Sequence, residues 1–129
     1  MEHKHLLVNA TFKQTPFTNV DFTNKWLLHL VDLIEMEILH DPISVRCEQE
    51  GNKGISGFCL ITTSHISLHS WEERQPNLVQ LDVYSCKNFE QNLIKSALRE
   101  FDPLSIGFKF LDRRLKNTKG WAMFDESNA

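Results

Sequence analysis

The stretch Ile55-Ser-Gly-Phe-Cys-Leu-Ile-Thr-Thr-Ser-His-Ile-Ser-Leu-His-Ser-Trp71 decides the fold. Its first half, Ile55 to Thr62, is a nearly continuous apolar run, the pattern of a central strand. His65 to Trp71 then alternates polar and apolar, the pattern of a strand with one wet face. Just upstream, Gly51-Asn52-Lys53-Gly54 reads as a turn whose glycines allow unusual backbone angles. Before that turn Ile43, Val45 and Cys47 alternate, and past the loop Arg74-Gln75-Pro76-Asn77 so do Val79, Leu81 and Val83. Leu6, Val8, Ala10 and Phe12 alternate near the start, and Ile106, Phe108 and Phe110 near the end.

Two helices separate these strands. Asn19 or Asp21 caps the first, which is expected to run to about Ile38 on a stripe of Phe22, Trp26, Leu30, Leu33 and Ile34. Asp41-Pro42 is expected to end it. Asn88 is expected to cap the second, with Gln91 in capping-box position. Its stripe is Phe89, Leu93, Ala97 and Phe101, widened by Ile94 and Leu98, and Asp102-Pro103 stops it. The order β-α-β-β-β-β-α-β predicts an α+β domain. It is a two-layer sandwich of a mainly antiparallel sheet with two main helices on one face. The domain is expected to span 1–117, with 118–129 a C-terminal tail, because patterning fades from about Thr118.

Composition narrows the function classes. The chain has 129 residues, 17 of them acidic and 14 basic, for a formal net charge of −3. The sequence pI near 6.0 argues against a nucleic-acid partner, which would call for a basic field. The longest apolar-rich stretch, Trp26 to Leu39, is broken by His29, Asp32, Glu35 and Glu37, so no membrane span is expected. The opening Met-Glu-His-Lys-His lacks the pattern of a signal peptide, and a cytoplasmic location is expected. Cys47, Cys59 and Cys86 form no Cys-x-x-Cys and are expected to be free thiols, the first two as small buried hydrophobes.

His65 and His69 stand four apart, a spacing that joins two metal ligands on a helix. On a strand those four residues span about 13 Å, whereas two ligands of one zinc ion lie about 3–4 Å apart. No metal is expected. A serine hydrolase is disfavoured too, because Gly-x-Ser-x-Gly is missing. Taken alone, these residues read as the polar face of a strand.

Taken together, they resemble a known family. Ser64-His-Ile-Ser-Leu-His-Ser-Trp71, followed by Leu81-Asp-Val-Tyr-Ser-Cys86, is similar to the processing and active-site region of the small prokaryotic, pyruvoyl-dependent S-adenosylmethionine decarboxylases. Gly54-Ile-Ser-Gly57 and His5-Leu-Leu resemble two further family segments, and the element order fits from about residue 4 to 112. The resemblance implies a proenzyme that cuts itself between Thr63 and Ser64, leaving a pyruvoyl group made from Ser64. That group forms a Schiff base with S-adenosylmethionine and acts as the electron sink when CO2 leaves, yielding the aminopropyl donor for spermidine. It implies His69 as the proton acceptor in processing, Ser56 as a hydrogen-bonding partner of the processing intermediate, and Cys86 as the proton donor in turnover. Glu73 and Trp71 occupy substrate-binding positions, Glu73 as the carboxylate that accepts ribose hydroxyls. The resemblance further implies a two-fold dimer, an αββα sandwich whose sheets stack face to face, and no need of a metal.

Three departures set rival expectations. Thr63 stands where the family carries Glu, which raises an unprocessed, non-catalytic paralogue as an alternative. The Trp71-Glu72-Glu73 segment lacks the family's Pro. Glu50 stands where many members carry an adenine-stacking Phe, and its carboxylate raises a pyruvoyl-dependent decarboxylase of ornithine or arginine as the other alternative. Geometry adds one expectation of its own. Ser64 and His69 are five apart on one strand, about 16 Å if extended, and an odd spacing sends them to opposite faces. Either the chain bends sharply at Thr63, or His69 and Ser56 act on the Ser64 of a second chain; the resemblance to a dimeric family implies the latter, with Ser64 and Cys86 from one chain and Ser56, His69 and Glu73 from the other.

Overall fold

Alternating apolar residues build six strands and two helices: β1 (Lys4–Phe12), α1 (Val20–Leu33), β2 (Ile38–Cys47), β3 (Gly54–Ile61), β4 (Ser64–Trp71), β5 (Asn77–Ser85), α2 (Gln91–Arg99) and β6 (Ser105–Asp112). The structure, a computed structural model, describes residues 1–122, so most of the expected tail lies outside the described residues. The strands form one sheet in the order β2-β3-β4-β5-β1-β6, every neighbouring pair antiparallel. One side of this sheet carries Leu6, Val8, Phe12, Ile61, Ile66, Leu68, Leu81 and Val83, which are buried beneath Leu27, Leu30, Ile94 and Leu98 of the helices. The expected α+β sandwich is the observed one.

Two boundaries differ from expectation. Helix α1 ends at Leu33 rather than Ile38, because Glu35 takes a left-handed φ of 58°. Glu35 N–H then bonds the Asp32 carbonyl and Met36 N–H the Val31 carbonyl, each at 3.0 Å, closing the helix. Such a position favours Gly or Asn, so a Glu there leaves no signal in the sequence. Ile38 opens β2 instead, and Asp41-Pro42 lies within that strand, where the pairing with β3 shifts register. An edge strand tolerates the proline because one side of it needs no ladder bond. Helix α2 is capped by Glu90, not Asn88, its carboxylate accepting from Asn92 N–H at 3.1 Å. The buried stripe of α2 therefore centres on Ile94, Ala97 and Leu98, while Leu93 is 40% exposed.

The cysteines divide. Cys59 is buried in mid-sheet, and burial pushes its thiol up to about 11. Cys47, expected to be buried as well, is half-buried because it closes the edge strand beside the turn.

The helix-free side of the sheet presents His5 and Leu7 of β1, Ser56, Phe58 and Leu60 of β3, His65, Ser67, His69 and Trp71 of β4, and Asp82 and Tyr84 of β5. Leu7, Ile43, Val45, Phe58 and Leu60 are each more than a third exposed here. At the rim of this face, a Cβ on Gly54 would overlap the Ser70 carbonyl oxygen and stand 3.3 Å from the Trp71 Cα. Backbone cannot yield as a flexible side chain does. Gly54→Ala is expected to destabilise the fold by about 3 kcal/mol, read as a lower urea midpoint at unchanged slope.

Candidate active site

Strands β3 and β4 form a hairpin joined by Thr62-Thr63 alone, with Ile61 opposite Ser64. Ser64 has a φ of 152°, a backbone angle that residues with side chains rarely adopt. The Thr63 carbonyl, the one acylating the Ser64 nitrogen, accepts the Cys86 N–H at 2.9 Å. Cys86 is itself tethered, its carbonyl accepting Glu2 N–H at 2.7 Å. The Thr63 hydroxyl reaches inward: it accepts from the buried Ser85 hydroxyl at 3.0 Å and points its own proton at Met36 Sδ, 3.3 Å away. Threonine at this position is thus held by the core.

The second group of residues lies at the other end of the same hairpin. Ser56 faces His69 across β3 and β4, with Oγ 2.8 Å from Nδ1. Ile43, Val45, Gly57 and Phe58 form an apolar hollow beside the pair. The Trp71 ring lies 5.9 Å from that of His69, and its Nε1–H donates to Asn52 Oδ1 at 2.7 Å. Glu73 accepts Gly51 N–H and sits 3.8 Å from Lys53 Nζ. Trp71 and Glu73 therefore hold the 51–53 turn, which directly follows Glu50 in the chain.

The chain does bend at Thr63, but the bend does not unite the two groups. Ser64 and Cys86 stand at one end of β4; Ser56, His69, Trp71 and Glu73 stand at the other, about 16 Å along the strand.

A third group has no local signature in the sequence. His5 Nε2 and His65 Nε2 lie 3.0 and 3.2 Å from Asp82 Oδ1, and Ser67 Oγ donates to Asp82 Oδ2. Burial works to raise the Asp82 carboxyl. The His5 and Ser67 hydrogen bonds, with the field of His5 and His65, outweigh it and hold the carboxyl below its usual value. The His5, His65 and Asp82 atoms lie within 4.8 Å of one another and are of metal-ligating types. Arg113, however, lies 3.2 Å from His5 Nδ1 and has only protons to offer. Nδ1 must accept, so the His5 proton sits on Nε2 facing Asp82, where a metal would need a lone pair. The group is a hydrogen-bonded network centred on a carboxylate. Its signal was unreadable before the strand order was known, because His5 and His65 share a row only through Tyr84 of β5, between them.

The chain belongs to the S-adenosylmethionine decarboxylase family, whose model matches residues 4–114. Two curated relatives, each called an S-adenosylmethionine decarboxylase proenzyme, come from Archaeoglobus fulgidus and Picrophilus torridus. They are 37% and 31% identical over 62 residues, 46% of this chain in each case. The match spans about half of each relative, 54% and 46%. The crystal structure of the adenosylmethionine decarboxylase from Aquifex aeolicus shares the fold, with a TM-score of 0.70 over 87% of this chain and 90% of that one at 19% identity.

Proposed function

We propose that this chain is a self-cleaving, pyruvoyl-dependent decarboxylase that converts S-adenosylmethionine to decarboxylated S-adenosylmethionine and CO2, the product serving spermidine synthesis in the cytoplasm. The observation that carries this reading is the Thr63 carbonyl, gripped at 2.9 Å by Cys86 N–H next to a serine with a positive φ. When Ser64 Oγ adds to the Thr63 carbonyl carbon, negative charge grows on that oxygen, where the Cys86 N–H already points. Release of the Ser64 nitrogen turns the amide into an ester, and the positive φ favours departure from the amide. A base then removes the Ser64 α-proton, the Cβ–Oγ bond breaks, and Thr63 leaves as a carboxylate. Addition of water and loss of ammonia complete a pyruvoyl group at position 64.

His69 is the base in this reading. With Nδ1–H donating to Ser56 Oγ, its Nε2 is left free to accept a proton. Since Nε2 stands far from Ser64 of its own chain, the proton comes from a second chain, and each site combines Ser64 and Cys86 with the partner's Ser56, His69, Trp71 and Glu73. The helix-free sheet face, with its exposed Leu7, Phe58 and Leu60, is where two copies would meet. Once formed, the pyruvoyl carbonyl supplies the electron sink for loss of CO2. The Cys86 thiol returns a proton to the substrate α-carbon, Glu73 receives ribose hydroxyls, and Trp71 lines the substrate. No described helix is long and apolar enough to cross a membrane.

Intact mass under denaturing conditions tests the processing. The expected species are residues 1–63 and 64–129, the second beginning with pyruvoyl in place of serine. Labelled CO2 release with S-adenosylmethionine, ornithine and arginine side by side tests the substrate. A single whole chain after prolonged incubation, or turnover of a basic amino acid alone, overturns the reading.

A further inference from the structure

A positive φ at a residue with a side chain persists only where its surroundings over-determine it. At Ser64 the restraints come from both sides of the sheet. On the preceding residue, the Thr63 hydroxyl is bonded to buried Ser85 and the Thr63 carbonyl to Cys86 N–H. On the following residue, the His65 ring is turned to the helix-free face and held by Asp82. Asp82 is in turn fixed by Ser67 and by His5, whose orientation Arg113 sets. The core therefore holds the chain before Ser64, and the carboxylate holds the chain after it.

We infer that Asp82 is a positioning residue for self-cleavage: by anchoring His65 it keeps Ser64 in the twisted backbone that favours transfer of the Thr63 acyl group from nitrogen to oxygen. The inference rests on the proposed self-processing and adds to it a division of labour. Cleavage removes the Ser64 nitrogen, and with it the φ angle that the anchor maintains. Asp82 should matter for cutting and not for turnover by chains already cut.

The test is the rate at which fresh precursor yields the 64–129 fragment, followed by the turnover number per pyruvoyl group in the matured fraction. Asp82→Ala is expected to cut about tenfold more slowly, the factor that release of one strained residue represents. Its turnover per pyruvoyl group should stay within about twofold of wild type. Asp82→Asn keeps one acceptor oxygen for the imidazole N–H groups and should recover most of the cutting rate. His65→Ala leaves Asp82 partnered by His5 and Ser67, so it serves if Asp82→Ala fails to fold, and it should slow cutting by the same factor. Wild-type cutting rates in Asp82→Ala and His65→Ala would overturn the inference alone. So would equal losses of cutting and turnover, which a merely structural role would produce. A wild-type chain that never cuts would overturn the self-processing reading, and this one with it.

Discussion

Ser64→Ala is expected to remain a single whole chain with no CO2 release above background, whereas Cys86→Ala is expected to be cut and then to turn over slowly. The contrast follows from which atoms each residue contributes. Ser64 supplies the only hydroxyl beside the Thr63–Ser64 bond that can both attack the carbonyl and become the pyruvoyl group. Thr63 offers a hydroxyl too, but it is engaged with Ser85 and Met36. To the proposed cut Cys86 would contribute its main-chain N–H, which alanine retains, so the 2.9 Å contact with the Thr63 carbonyl survives. The thiol is proposed to serve the later step, and its loss should then lower decarboxylation about a hundredfold or more, the usual weight of a general acid. Denaturing mass and labelled CO2 release read the two steps separately. A Cys86→Ala chain that stays whole would place the thiol in the cutting step and defeat this assignment.

Chains that are inactive alone should restore each other. Ser64→Ala lacks the proposed nucleophile, and His69→Ala lacks the proposed base. In a mixed dimer, one site joins Ser64 of the His69→Ala chain to His69 of the Ser64→Ala chain, and the other site has neither. Coexpression should therefore yield cut His69→Ala chain and uncut Ser64→Ala chain, and the two are told apart by mass. Distance requires the second chain: proton transfer needs heavy atoms about 3 Å apart, and the strand between these residues spans about 16 Å. Purified mixed dimers with no cut chain would sink the shared site, as would an active enzyme that is strictly monomeric.

Most of the fold was legible because alternation is a local property. Leu6 to Phe12, Val79 to Val83 and the Ser64–Trp71 strand declare themselves by which residues are apolar. What escaped was either conformational or non-local. Glu35 closes α1 with a left-handed angle that its side chain does not advertise, so the apolar stripe alone extends the helix to Ile38, which in fact opens β2. Ser64, Cys86, Ser56 and His69 stand out only through the family resemblance, and spacing left open whether a bend at Thr63 or a second chain brings Ser64 and His69 together; the strand places them about 16 Å apart within one chain. The contact between Thr63 and Cys86 was invisible, since main-chain hydrogen bonds leave no residue-type signature. The row His5, Asp82, His65 needed the order of β4, β5 and β1, which no local pattern encodes.

The position of β1 has a consequence for what a broken chain can do. A cut after Thr63 would leave β1, α1, β2 and β3 on one piece and β4, β5, α2 and β6 on the other. In the sheet, β1 lies between β5 and β6, and β3 lies against β4. The pieces are woven like warp and weft, each supplying threads between those of the other. A chain cut there would not come apart, because neither piece can leave until the whole cloth is unpicked. The weave also runs one way in time: it forms readily while the thread is continuous, but two loose pieces would first have to find each other.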